Sequence, residues 1–218
     1  MTEKQKRIII AKVVEDLKRL YPQALCSLEY GGEGWKLLVM GRLSAQCTDE
    51  RVNIVCKDLF AKFDTAQKLA NAPLSEIEEI VKPCGLYRMK AKNIKDSMLR
   101  LINEYKGVIP DSMDELLKFE GVGRKIANLL LGDLYNLPAI VADTHCMRIC
   151  GRLGMYREGM KDPLKTERIM SRLVEPSEQS DFCHRLVLFG REYCMAKNPR
   201  CGECPLNKIC ASKQKEIK

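Results

Sequence analysis

Residues 119–132 read FEGVGRKIANLLLG. Two glycines flank a valine, a basic pair follows at once, and Ile126, Leu129 and Leu130 then recur at helical spacing. Glycine takes φ > 0 without steric cost, so Gly121 and Gly123 mark a tight turn joining two short helices. Ahead of the turn, Ser112 and Glu115 have the spacing of a capping box, which places a short helix up to Phe119. The motif is therefore helix, Gly-Val-Gly, helix, over about 112–132. Such a turn presents backbone N–H groups at the positive end of a helix, and these form a site for an anion such as a nucleic-acid phosphate. By itself the turn is equally a plain connection between packed helices. Lys125 adds chemistry. A lysine amine is normally protonated and not nucleophilic. Burial against the apolar helix face, or the positive helix end, would favour its neutral form. Without either, Lys125 is an ordinary phosphate contact.

Outward from this stretch the helical pattern continues in both directions. Residues 4–20 form an amphipathic helix through Ile9, Ile10, Val13, Val14, Leu17 and Leu20. Further helices are expected over 35–46, after a cap at Thr48 or Asp49, over 73–81 with Ser75 and Glu78 as a capping box, and through Ile94, Met98, Leu101 and Ile102. Helices are also expected over about 144–154, 163–174 and 179–193. Nothing reads as a strand or an internal repeat, so the fold class is all-α. The chain has 218 residues, 45% hydrophobic and 30% charged, enough for one large or two small domains. No apolar run reaches membrane-spanning length, and the early run IIIAKVV is broken by Lys12 and lacks a cleavage site, which points to the cytoplasm. The net charge of +8 attracts polyanions, although a basic surface alone does not establish nucleic acid as the partner.

Downstream, Asp143 follows an apolar stretch and precedes a helix in IVADTHCMRICGRLG, the setting of an N-cap. A capping carboxylate is fixed and ionised, and near an amine it could take a proton or stabilise a developing sugar cation. Arg148 and Arg152, four residues apart, suit phosphates or surface ion pairs.

Of eleven cysteines, seven are scattered among apolar neighbours as buried thiols. The other four, Cys194, Cys201, Cys204 and Cys210, are separated by six, two and five residues. Four thiolates at such spacing suit zinc or a [4Fe-4S] cluster, and structural zinc more often uses two C-x-x-C pairs where this loop has one, which favours iron–sulfur. The segment also carries Arg191, Lys197, Arg200, Lys208, Lys213, Lys215 and Lys218 against Glu192, Glu203 and Glu216, which is half the net charge of the chain. A ligated, cationic loop reads as a second phosphate-holding surface, or as a redox carrier.

Together LSAQCTD (43–49), GLYRMKAKNI (85–94), GVGRK (121–125), ADTH (142–145) and the cysteine spacing resemble the endonuclease III family of helix-hairpin-helix DNA glycosylases, in family order and over nearly the whole chain. The resemblance implies two helical domains flanking a DNA-binding cleft. One is a six-helix barrel over 25–137, and the other joins 1–24 to 138–218 with the cluster loop at 194–210. It implies Lys125 as nucleophile with Asp143 as its partner, and the four cysteines as ligands of a [4Fe-4S] cluster. It implies that Gln46 fills the gap left by an extruded base and that Leu86 wedges into the stack. Gly121, Val122, Gly123, Arg124 and Arg148 are expected at the DNA. The expected activity is base excision of oxidised or damaged pyrimidines from double-stranded DNA, followed by β-elimination at the abasic site, by a nucleoid-associated cytoplasmic monomer without membrane contact. A monofunctional glycosylase for mismatched adenine or thymine is the alternative, and Lys125 speaks against it. A non-catalytic iron–sulfur DNA-binding protein is another. Three positions depart from the family pattern: Glu120 where proline is usual, Ile126 for threonine and Ala142 for valine. Glu120 is expected to weaken phosphate binding slightly.

Overall fold

The structure, a computed structural model, describes residues 1–23 and 25–212. Lys213, Lys215, Glu216 and Lys218, counted above in the basic segment, lie outside the described residues. Among the described residues all regular structure is helical. The chain divides into two compact units, one of residues 26–135 and the other of residues 1–25 and 136–218.

The continuous unit holds α2 (Gly34–Leu43), α3 (Asp49–Lys62), α4 (Ala66–Asn71), α5 (Leu74–Val81), α6 (Tyr87–Tyr105), α7 (Met113–Leu116) and α8 (Arg124–Tyr135). A 3₁₀ turn, Lys82–Cys84, joins α5 to α6. α2 is apolar nearly all round, as a helix enclosed by its neighbours must be, and it packs against α3, α6 and α8. Leu37, Leu38, Met40 and Leu43 are each at most 1% exposed. Burying a side chain of this size contributes about 1.5–3 kcal/mol. The sequence extends this helix to Gln46, but α2 stops at Leu43, where the Ser44 hydroxyl turns back onto the Met40 carbonyl (2.8 Å). The hydroxyl competes for the carbonyls that would end the helix regularly. Thr48 caps α3 by accepting from Arg51 N–H.

The discontinuous unit holds α1 (Glu3–Leu20), α9 (Thr144–Arg152), α10 (Pro163–Leu173) and α11 (Gln179–Glu192). α1 begins with a capping box between Thr2 and Gln5 and buries Ile10, Val13 and Leu17. It packs against α10 and α11, while α9 packs on α11. A Cβ at Gly190 would overlap the His145 and Arg148 side chains, so glycine there sets how closely α9 and α11 approach. The buried Arg185 of α11 donates to the Tyr21 carbonyl (3.1 Å) and to Asp181 (2.9 Å), tying the end of α1 to α11.

Candidate active site and cysteine loop

The glycine turn closes through Val122 N–H to the Phe119 carbonyl (3.1 Å), and α8 begins with Ile126 and Ala127 N–H on the Gly123 carbonyl (3.0 Å each). The amides of Gly123, Arg124 and Lys125 therefore precede the first helical bond, as at any helix start. Only Gly121 has positive φ, at 75°. A Cβ on Gly121 would overlap the Arg42 guanidinium and the Asn93 amide, whereas nothing lies within 4 Å of one on Gly123. Sequence reading treats the two glycines alike, but only Gly121 is required by the chain's own packing. Close approach by a ligand is the remaining physical reason for glycine at position 123.

Arg42, 8% exposed, supports the turn from behind. With the Asn93 amide oriented to satisfy both its atoms, Oδ1 accepts from Arg42 Nη2 (3.0 Å) and Nε (3.2 Å) and Nδ2 donates to the Met89 carbonyl (3.2 Å). Glu120, expected to weaken phosphate binding slightly, pairs with Arg100 (3.4 Å), and the Arg100 guanidinium also donates to the Lys118 carbonyl. Ile126 packs on Gly41 of α2, and Ala142 is buried. Ile126 and Ala142 are thus accommodated locally, while Glu120 is paired through Oε1 only and its Oε2 is buried without a hydrogen bond. Val122 is buried, while Arg124 and Lys125 are exposed. The burial proposed from sequence to neutralise Lys125 is not supplied by the folded chain, because the first turn of α8 projects its side chain outward.

Gln46 and Leu86 share a feature invisible in sequence. Both are exposed and both have left-handed backbone, φ 56° and 48°. For a residue with a Cβ this costs about 1–2 kcal/mol each, so surrounding structure must enforce it. Leu86, 54% exposed, is the N-cap of α6 without any side-chain capping bond. Between the two turns lies Lys90, fully buried, which donates to the Leu43 carbonyl (2.9 Å) and the Cys84 carbonyl (2.8 Å). Burial lowers the pKa of Lys90, and the nearby Cys47 and Cys84 thiols oppose that shift. Burial, together with the hydrogen-bonded Cys47, pushes the Cys84 thiol up to about 12. Lys90 stands one helical turn before the apolar Ile94, so its face was legible in sequence, but its burial was not.

In the other unit Asp143 is the N-cap of α9, its Oδ1 accepting from Cys146 N–H (2.7 Å). Arg148, expected at the DNA, turns inward. Its Nε donates to the Cys194 carbonyl (2.9 Å), and Nη2 contacts His145 Nδ1 (3.1 Å) and the Gly190 carbonyl (3.4 Å). Arg152 is 5% exposed and does the same, donating to the Cys194 sulfur (3.3 Å) and the carbonyls of Met195 (2.7 Å) and Ala196 (3.2 Å). The four-residue spacing puts both arginines on one face of α9, and tertiary packing turns that face to the cysteine loop, Arg152 buried and Arg148 partly exposed.

Cys194, Cys201, Cys204 and Cys210 line one pocket with Arg152 and Tyr193. All four are of intermediate burial and none is in a disulfide. Burial, with the neighbouring cysteines adding to it, pushes the Cys204 thiol up to about 11. A four-sulfur donor set is what an iron–sulfur cluster takes. Arg152 donating to a ligand sulfur and Asn207 donating to the Cys201 carbonyl (2.7 Å) are the kind of outer support such sites carry. The residues fit the group.

Comparison with known proteins gives the same picture from outside. Residues 39–176 match the HhH-GPD superfamily of base excision DNA repair proteins, and residues 194–210 match the iron–sulfur binding domain of endonuclease III. Endonuclease III of Bacillus subtilis (strain 168) is 42% identical over 200 residues, covering 91% of this chain and 90% of the relative. The structure of a non-covalent endonuclease III–DNA complex superposes with a TM-score of 0.90 at 37% identity, covering 100% of this chain and 99% of the other. A trapped endonuclease III–DNA covalent intermediate, the estranged-adenine complex, gives the same TM-score and identity with 100% of both chains covered.

Proposed function

The chain belongs to the endonuclease III family of base excision DNA repair proteins, with its [4Fe-4S] domain, and on that premise we propose that Lys125 is the nucleophile of a bifunctional DNA glycosylase and abasic-site lyase. The substrates are oxidised or ring-damaged pyrimidines and abasic sites in double-stranded DNA, and the enzyme acts as a monomer at the cytoplasmic nucleoid. The observation that carries this reading is the exposed Lys125 on the first turn of α8, directly after a glycine turn whose amides head the helix.

A base inside the duplex is out of reach and must be extruded. Phosphates are held at the turn formed by Gly121, Val122 and Gly123, by the amides that head α8 and by the Arg124 side chain, a grip independent of base sequence. Gln46 and Leu86 occupy the vacated space. The Lys125 amine, once it has given a proton to Asp143, attacks C1′, and the glycosidic C–N bond breaks with its electron pair leaving on the base, which takes up a proton from the attacking nitrogen. Opening of the sugar ring, with the proton held by Asp143 passing to O4′, gives a protonated imine between Lys125 Nζ and C1′. The imine acidifies the 2′ hydrogen, and its removal expels the 3′ phosphate, cutting the strand by β-elimination. Hydrolysis of the imine restores the amine. Asp143, fixed as a helix cap, stabilises the cationic sugar or accepts a proton. Arg148 is assigned with Arg152 to support of the cysteine loop rather than to DNA. Cys194, Cys201, Cys204 and Cys210 would hold the [4Fe-4S] cluster, which contributes structure by fixing the cationic loop of Lys197, Arg200 and Lys208.

Borohydride trapping tests the assignment. Wild-type protein reduced in the presence of abasic-site DNA is expected to give a covalent adduct mapped by mass spectrometry to Lys125, and Lys125→Ala to give none. An undiminished adduct in Lys125→Ala would overturn the reading.

A further inference from the structure

We infer that Lys90 is a positioning residue for base extrusion, holding the Gln46 and Leu86 turns in their left-handed conformations through one ammonium group. The inference rests on the proposed gap-filling role of Gln46 and Leu86. Its evidence is separate and geometric. Lys90 is fully buried, yet no carboxylate is among its hydrogen-bond partners, which are the carbonyls of Leu43 and Cys84. Leu43 is the last residue of α2, three before Gln46, and Cys84 ends the 3₁₀ turn two before Leu86. The backbone N–H of Lys90 also bonds the Leu86 carbonyl (3.1 Å), so the residue that bridges the turns starts the helix that Leu86 caps.

A buried ammonium without a counter-charge is costly unless its donors meet acceptors. Here those acceptors are the two carbonyls that end the segments leading into the turns. Two further links run parallel: Arg51 at the start of α3 donates to the Pro83 carbonyl (3.4 Å), and the Cys47 and Cys84 thiols are hydrogen-bonded. Neither turn has a side-chain cap to fix it, since Ser44 is turned back onto Met40 and Leu86 has no capping bond. Of these links only the ammonium bonds the backbone of both segments at once, and the register of the two exposed side chains relative to each other is assigned to it. Without it, each turn is free to relax from the left-handed region.

Lys90→Met keeps the length and loses the donors. Hydrogen exchange should speed at least about tenfold at the Cys47 and Gly85 amides and stay unchanged in α8. Single-turnover base removal from a duplex containing an oxidised pyrimidine should fall at least about tenfold, while the borohydride adduct with a single-stranded abasic oligonucleotide persists. Because Lys90 acts through the turns, Lys90→Met combined with Leu86→Gly should be no slower than the slower single variant. Multiplicative losses, or unchanged exchange at Cys47 and Gly85, would overturn the proposal. If wild type itself removes no base, the gap-filling reading fails, and the exchange measurement still decides whether Lys90 holds the turns. If Lys90→Met does not fold, Lys90→Gln carries the same measurements. If neither keeps its helical circular dichroism, Lys90 is a folding residue and the proposal is overturned.

Discussion

Gly121 and Gly123 stand two positions apart and answer to different constraints. At Gly121 the backbone is left-handed and a Cβ would strike Arg42 and Asn93. Gly121→Ala is expected to destabilise the fold by roughly 2 kcal/mol or more, read as a fall in denaturant midpoint. At Gly123 there is open space and no positive φ. Gly123→Ala should leave stability within about 0.5 kcal/mol of wild type, yet weaken binding to abasic-site duplex by fluorescence anisotropy. Loss of stability in both, or of neither property in Gly123→Ala, would remove the distinction. At this scale the sequence singled out Lys125, the glycines and the four thiols, and the proposed role of Lys125 as nucleophile came from the family resemblance rather than from its residue type. It did not reveal that Arg148 and Arg152 face inward, or that Lys90 is enclosed, because a long cationic side chain is compatible with either side of a helix until its neighbours are in place.

Helix starts show where local chemistry decides and where it does not. Asp143 caps α9 as expected, its Oδ1 on Cys146 N–H. Asparagine caps a helix about as well as aspartate, while alanine costs about 1 kcal/mol. Asp143→Asn is therefore expected to keep thermal stability and DNA affinity while base release falls at least about tenfold, and Asp143→Ala to lose stability as well. Equal loss of affinity in Asp143→Asn would reduce Asp143 to a cap. Two other expected devices differ. Glu115 does not close a box with Ser112: its carboxylate binds Lys118 and the Tyr105 hydroxyl (2.6 Å each), although Ser112 does cap α7. Helix α5 begins at Leu74, before Ser75, with Pro73 as a cap that makes no side-chain bond. In both cases a competing partner or a rigid proline outweighed a capping pattern that is stabilising only when no better bond is offered.

Each of the two units has its own apolar core, and the discontinuous one is closed by α1 packing on α10 and α11. The cysteine loop is different. Between residues 194 and 210 it has a single 3₁₀ turn, Asn207–Ile209, and few buried side chains, of which Leu206 at 1% exposure is one. Arg148 and Arg152 bond its backbone, and the proposed structural role of the cluster is to hold the rest. Removal of iron by oxidation and chelation is expected to open the loop to trypsin after Lys197, Arg200 and Lys208, with little loss of helical circular dichroism. Resistance of the iron-free protein to cleavage would show that side-chain bonds alone maintain the loop.

The amino-acid sequence by itself determined the all-helical class, the hairpin, the thiol set and the family, because periodicity, glycine conformational freedom and ligand chemistry are local properties of residue type and spacing. Only the tertiary structure decided which cations are buried and what they hold. It set Gln46 and Leu86 in left-handed turns bridged by Lys90, turned Arg148 and Arg152 onto the cysteine loop, and matched Glu120 with Arg100. These depend on groups up to tens of residues apart meeting in a desolvated place, where an unmade hydrogen bond is costly and a made one fixes the backbone.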